Sequence, residues 1–137
     1  MGQPADLYFA LIAPACVVLF GFALLACWYV QRRQPRALFL LWLVGGYVLL
    51  ATALAAQSLM SNAQLSQFAI ATACLYLLGT WSLAQGVSLR LGSAGASVPG
   101  GILIAVVALS ALFYFSRIEN DLWVRVQCLA LAMALQL

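Results

Sequence analysis

The feature that most constrains this sequence is a series of long apolar runs. The first, residues 7–30, contains no charged side chain. A helix needs roughly 20 mostly apolar residues to cross a hydrocarbon core of about 30 Å. Across the chain only 7% of residues are charged, whereas ordinary soluble domains have about 25%. A soluble globular domain is therefore excluded, and the sequence predicts a membrane protein.

Helices explain these runs better than barrel strands do. Strands of a membrane barrel are about ten residues long and alternate in polarity, whereas these runs are continuous and rich in Leu and Ala, which favour helices. We predict an all-α, polytopic transmembrane helix bundle that forms a single domain over residues 1–137. It has about five spans, the fifth incomplete, and an uncharged connection at 57–67. The predicted spans cover residues 7–30, 37–56, 68–89, 100–115 and 122–137.

Arginine placement predicts the orientation of the spans. Four arginines lie in the first and third connections, and two lie on the opposite side. They are Arg32, Arg33, Arg36 and Arg90, against Arg117 and Arg125. Because cytoplasmic loops carry the excess of arginine and lysine, we expect a multi-pass protein with its N-terminus outside and its first and third connections in the cytoplasm. The group of four is also expected to contact anionic headgroups of the lipid bilayer.

The fifth apolar run begins at Leu122 and is still apolar at Leu137. As a helix it is about 24 Å long, which is shorter than the hydrocarbon core. No arginine, tryptophan or tyrosine follows to anchor its inner end. We therefore expect the sequence to be the N-terminal part of a longer protein. A short, tilted final helix is the alternative.

Charges of both signs gather at the outer end of the fourth and fifth spans. The candidate ligand or signal site there consists of Arg117, Glu119, Asp121 and Arg125. Arg125 lies about one turn inside the membrane, where an arginine must reach back to the surface, pair with an acid or face a polar cavity. Pairing with Asp121 or Glu119 is one interpretation, and binding of a small anionic ligand by Arg117 and Arg125 is another. Trp123 is predicted to anchor the helix at the membrane interface.

No catalytic residues and no metal site are predicted. The chain has no histidine, which removes the commonest general base and metal ligand. The four cysteines lie inside spans without CxxC spacing and are interpreted as buried, small apolar residues. They are Cys16, Cys27, Cys74 and Cys128. No cofactor is expected in this chain, and no nucleic acid is expected as a partner.

Small residues recur four positions apart, a spacing that allows helices to approach closely. The pairs are Ala51 with Ala55, Gly101 with Ala105, and Ala130 with Ala134. They favour a packed bundle, whether the contacts lie within one chain or between chains.

The segment from Phe113 to Val126 reads FYFSRIENDLWVRV, and an arginine-rich loop with Arg32, Arg33 and Arg36 follows the first span. In this layout the chain resembles the N-terminal membrane region of bacterial GGDEF-type diguanylate cyclases. Those regions have an arginine just inside the span that follows the short outer loop, and Arg125 matches it. The resemblance implies a membrane-anchoring, sensory and dimerisation module, located in the bacterial inner (cytoplasmic) membrane. As a homodimer it would control a cytoplasmic cyclase domain that makes cyclic di-GMP from GTP. GTP and Mg²⁺ belong to that domain, which these 137 residues do not contain.

Two other functions remain open, and whether a parent protein is an active enzyme is open as well. The chain is alternatively a fragment or subunit of a small transporter or channel, or a membrane assembly or scaffold subunit. An ion-coupled transporter usually places an acid deep within a span, whereas Asp6, Glu119 and Asp121 lie at span ends. A scaffold subunit is expected to work without any cytoplasmic domain.

Overall fold

The computed structural model describes residues 4–34, 37–60, 62–92, 98–117 and 122–136. Of these residues 95% are helical, and none lies in a strand. The helices are α1 (Pro4–Gln31), α2 (Leu38–Leu59), α3 (Asn62–Leu91), α4 (Val98–Arg117) and α5 (Leu122–Gln136). The prediction of an all-α fold is confirmed.

Three of these helices are long and apolar enough to cross a membrane. The apolar segments are Leu11–Gln31, Leu38–Leu59 and Gln67–Leu91. Helices α4 and α5 contain the shorter apolar stretches Val98–Tyr114 and Trp123–Gln136. The chain therefore has the character of a membrane protein.

The helices extend beyond the predicted spans, most clearly between α2 and α3. Helix α2 continues to Leu59 and α3 begins at Asn62, so most of the predicted connection at 57–67 is helical. The Met60 N–H donates to Ala56 O at 3.0 Å and closes α2. Serine, asparagine and glutamine suggest a loop in the sequence. Near hydrocarbon, however, backbone groups must be satisfied within the chain, and a helix does this best.

Helices α2 and α3 run antiparallel and approach closely at glycines. A Cβ atom placed on Gly46 would lie 2.9 Å from the Gly79 carbonyl oxygen, and one on Gly86 would lie 3.0 Å from the Phe39 carbonyl oxygen. These distances leave no room for a side chain, so the two backbones meet directly. Without a hydrophobic driving force in lipid, such close packing supplies much of the helix association.

Polar and aromatic contacts also join α2 to α3. The Ser82 hydroxyl donates to Trp42 O at 2.7 Å, and the Tyr76 hydroxyl donates to Gln57 Oε1 at 2.8 Å. The Trp42 and Trp81 rings meet edge to face, with centroids 5.7 Å apart. Each of these hydroxyl protons has a partner inside the chain, as a hydrocarbon environment requires.

A small core lies where α3, α4 and α5 meet. Leu77, Ala108 and Ala132 form its buried centre. Helix α4 approaches α3 at Gly101, where an added Cβ atom would lie 2.9 Å from Trp81 Cδ1. Small residues thus bring α4 and α5 against α3.

Helix α1 lies against α2 at the side of the bundle. Phe20 and Tyr47 meet edge to face with centroids 5.1 Å apart. Cys16 and Cys27 are exposed, whereas the other two cysteines are partly buried, and all four thiols are free. The prediction of buried cysteines is therefore wrong for Cys16 and Cys27. A helix at the edge of a bundle buries one face only, and these two residues lie elsewhere on α1.

Candidate functional site

The candidate site centres on Arg125, which lies in the interior of the bundle. Its exposed fraction is 9%. Spacings of four, three and four residues place Arg125, Leu129, Ala132 and Gln136 on one face of α5. Leu129 and Ala132 on that face belong to the core shared by α3, α4 and α5. The arginine therefore lies on the packed face of α5.

Because Arg125 is buried, its side chain lies inside the bundle and does not extend along the lipid-facing surface toward water. Arg125 also takes part in a further polar or ring interaction, as a charge in a membrane bundle must. Glu119 and Asp121, its predicted acidic partners, lie outside the described residues. Arg117 is the last residue of α4, and its side chain also lies outside the described part. The pairing of Arg125 with an acid thus stays a prediction.

Trp123 lies on the opposite side of α5 from the core. It is 71% exposed and stands two residues before Arg125, so the two side chains point to different faces of the helix. Exposure of this amphipathic ring suits the predicted role of an interface anchor.

A polar joint between α5 and α3 is a structural feature that the sequence did not predict. The Thr80 hydroxyl, whose residue is 2% exposed, lies 2.6 Å from Gln136 Oε1. It also lies 3.0 Å from Tyr76 O and 3.1 Å from Leu77 O. A hydroxyl has one proton to donate, so it bonds one of these acceptors at a time. The joint ties the last described turn of α5 to the interior of α3.

Arg32, Arg33 and Arg90 lie at the same end of the bundle. Arg32 and Arg33 follow α1 and are exposed. The Arg90 guanidinium at the end of α3 lies 5.9 Å from the centre of the Phe39 ring, in the first turn of α2. Arg36 lies outside the described residues. This end of the bundle is therefore basic.

Two open apolar grooves lie on the bundle surface. One, of about 560 Å³, lies between α1 and α2. The other, of about 350 Å³, lies between α3 and α4 and includes Gln136. Arg125 lines neither of them, and anion binding by Arg117 and Arg125 remains a prediction. Within the described ranges, no group of three or more His, Cys, Asp or Glu side chains is placed to hold a metal ion.

Comparison with known proteins identifies no relative. No protein-family model, no curated protein and no solved structure matches the chain. Function must therefore be argued from the residues and their geometry.

Proposed function

We propose that the chain is a membrane-anchoring, sensory and dimerisation module that controls a cytoplasmic diguanylate cyclase domain. The observation that carries the sensory part is the buried Arg125 on the packed face of α5. An arginine inside a membrane bundle is costly and is a functional-site hypothesis by default. The choice of a cyclase as the output rests on the sequence layout alone, through Arg125 and the arginine-rich first loop.

The contacts that hold α5 in the bundle are suited to a helix that transmits a signal. Its core contacts with α3 and α4 include the small residues Ala108 and Ala132. Its described end is held by the Thr80–Gln136 hydrogen bond. Contacts through small side chains together with a hydrogen bond make a packing that modest energies can change. A signal acts on such a helix only through different affinities for two packings.

The proposed signal is a small anion or a membrane state that acts near Arg125. By altering the electrostatic balance around the guanidinium, it would shift α5 relative to α3. In a homodimer, that shift would change the separation of two cyclase domains, each of which holds one GTP. The protein would work in the bacterial inner membrane with its basic end, at Arg32, Arg33 and Arg90, facing the cytoplasm.

The decisive experiment uses the gene in its natural setting. We expect its reading frame to continue beyond Leu137 into a domain with a GGDEF-like motif. Expression of that full protein should raise cellular cyclic di-GMP. A frame that encodes no such domain would refute the cyclase proposal and favour the scaffold or transporter alternatives.

A matched pair of variants tests the role of Arg125 in that full protein. Arg125→Ala should change cyclic di-GMP output about fivefold or more, the lower range of allosteric coupling. Gln127→Ala, on the exposed face of the same helix, should leave output unchanged. Equal outputs from both variants at equal membrane levels would contradict a sensory role. If Arg125→Ala does not accumulate and Arg125→Lys restores both level and wild-type output, the arginine has a structural role instead.

Reporter fusions test the proposed orientation. Green fluorescent protein joined after Gln34 or Gly92 should fluoresce, and alkaline phosphatase joined after Met60 should be active. Those results place the basic end in the cytoplasm. The opposite pattern would show that the topology is reversed and would contradict the cytoplasmic location proposed for the basic end.

A further inference from the structure

The groove between α1 and α2 is lined by apolar residues of both helices, with small residues among them. Its α1 side is a stripe with a spacing of three or four residues, and its α2 side has a matching stripe. The small members Ala15, Gly21, Ala51 and Ala55 leave the space. Near its middle, a Cβ atom on Gly21 would lie 3.7 Å from Tyr47 Cβ, which is ordinary contact. The helices therefore touch beneath the groove and leave it open to the outside.

The lining of the groove offers no hydrogen-bonding proton. Its one hydroxyl belongs to Thr52, and that group donates to Val48 O at 2.8 Å. The other lining side chains are hydrocarbon, from residues such as Leu11, Phe22 and Leu25. A polar ligand would lose hydrogen bonds there. The chemistry of the groove therefore fits a hydrocarbon chain.

The dimensions of the groove match a lipid acyl chain. Leu11 and Leu25 line its two ends and are separated by about 21 Å of helix. One leaflet of a bilayer core is about 15 Å thick, half of about 30 Å. The groove is therefore longer than one leaflet is deep, and it can hold an acyl chain along its length.

Two arginines lie beyond the Leu25 end of the groove. The stripe of α1 continues past Leu25 to Tyr29 at the same spacing, and Arg32 follows Gln31, the last residue of α1. The Arg32 guanidinium sits 4.4 Å from the centre of the Tyr29 ring. Both arginines lie in a tight turn, in which the Gln34 N–H donates to Gln31 O at 2.8 Å. Arg32 directly follows the apolar segment that ends at Gln31, which is where the headgroup layer of the membrane is expected.

We propose that this groove and its two arginines bind one anionic phospholipid of the bilayer. An acyl chain lies between α1 and α2, and the phosphate meets the guanidinium groups of Arg32 and Arg33. In lipid, an apolar groove alone gives little preference, because acyl chains are as apolar as the side chains they replace. Guanidinium groups bind phosphate through paired hydrogen bonds. The selectivity comes from net charge, because the positive group of a zwitterionic headgroup opposes the attraction to arginine, whereas an anionic headgroup has no such group. This site is independent of the signalling role proposed above.

Native mass spectrometry of the full chain in mild detergent tests the proposal. Phosphatidylglycerol and phosphatidylcholine with identical acyl chains are titrated, and the dissociation constant of the first bound lipid is compared. Phosphatidylglycerol should bind more tightly. Arg32→Gln and Arg33→Gln should each weaken it about fivefold, which is the contribution of one arginine near an anionic surface. Arg90→Gln removes the same charge from the same end, away from the groove, and should change little.

A second pair of variants tests the groove itself. Val18→Trp places a larger side chain in the groove, whereas Leu19→Trp places it on the neighbouring exposed face of α1 that does not line the groove. Val18→Trp should weaken both lipids and Leu19→Trp neither. The proposal is overturned if the two lipids bind equally, or if Arg90→Gln is as harmful as Arg32→Gln. It is also overturned if both tryptophan variants bind like wild type.

Discussion

Two adjacent glycines in α2 provide a sharp test of the close contact with α3. Gly46→Ala places a Cβ atom 2.7 Å from Leu83 Cδ2 and 2.9 Å from Gly79 O. Ordinary carbon contacts begin near 3.5 Å, so the first distance is about 0.8 Å too short. Leu83 could adjust its side chain, but the Gly79 carbonyl belongs to a helix backbone. Relief therefore requires the helices to separate.

Gly45→Ala is the matched control for this change. Its Cβ atom would lie 3.6 Å from Ser82 Oγ, which is ordinary contact. Both substitutions remove the helix penalty of glycine, about 1 kcal/mol in water, so this gain cancels in the comparison. Overpacking typically costs about 1–3 kcal/mol. We expect Gly46→Ala to lower the free energy of unfolding by that amount relative to Gly45→Ala.

The measurement is unfolding of the purified chain from mild detergent by added dodecyl sulfate. Trp42 and Trp81, which meet across the same interface, provide a fluorescence signal for separation of α2 and α3. Circular dichroism checks that both variants are helical at the start. Equal stability of the two variants, or a less stable Gly45→Ala, would refute a glycine-dependent contact at Gly46.

Further predictions concern the polar contacts between helices. Ser82→Ala removes the bond to Trp42 O and should cost about 0.6 kcal/mol, a typical value for such bonds in membranes, measured in the same titration. Ser110→Ala, whose hydroxyl bonds within its own helix, should cost less, and a reversed order would contradict the interhelical role of Ser82. Thr80→Val removes the joint to Gln136 and should speed amide hydrogen exchange in α5 more than in α2. Unchanged exchange in α5 would show that the joint does not hold that helix.

The sequence predicts the helices because hydropathy is a local property of each run. It predicts their ends less well, as the helical extension of α2 to Leu59 shows. Near the membrane surface, polar residues are compatible with both loop and helix. Local composition does not distinguish the two, since the choice depends on where backbone hydrogen bonds are satisfied.

Contacts between helices are harder to predict, because a single helix carries only half of each contact. The four-residue pattern includes Ala130 and Ala134, which are exposed in this chain. The pattern does not include Gly79 and Gly86, which are seven residues apart and contact residues of α2. The Thr80–Gln136 bond joins residues 56 positions apart, and no spacing rule connects them. A charged site residue is easier to predict because arginines are rare in this chain, and the sequence does identify Arg125 as a candidate.

The burial of Arg125 restricts how α5 can move if it transmits a signal. Arg125 and Gln136 stand near opposite ends of one face, with the core contacts of Leu129 and Ala132 between them. Rotation of α5 that turned this face outward would expose the arginine to lipid, at a cost below the value of about 2.5–3.5 kcal/mol for an arginine at the helix centre, and would break the bond to Thr80. Sliding or tilting keeps both groups inside. Any proposed signal should therefore act through tilt or translation of α5, unless it first neutralises Arg125.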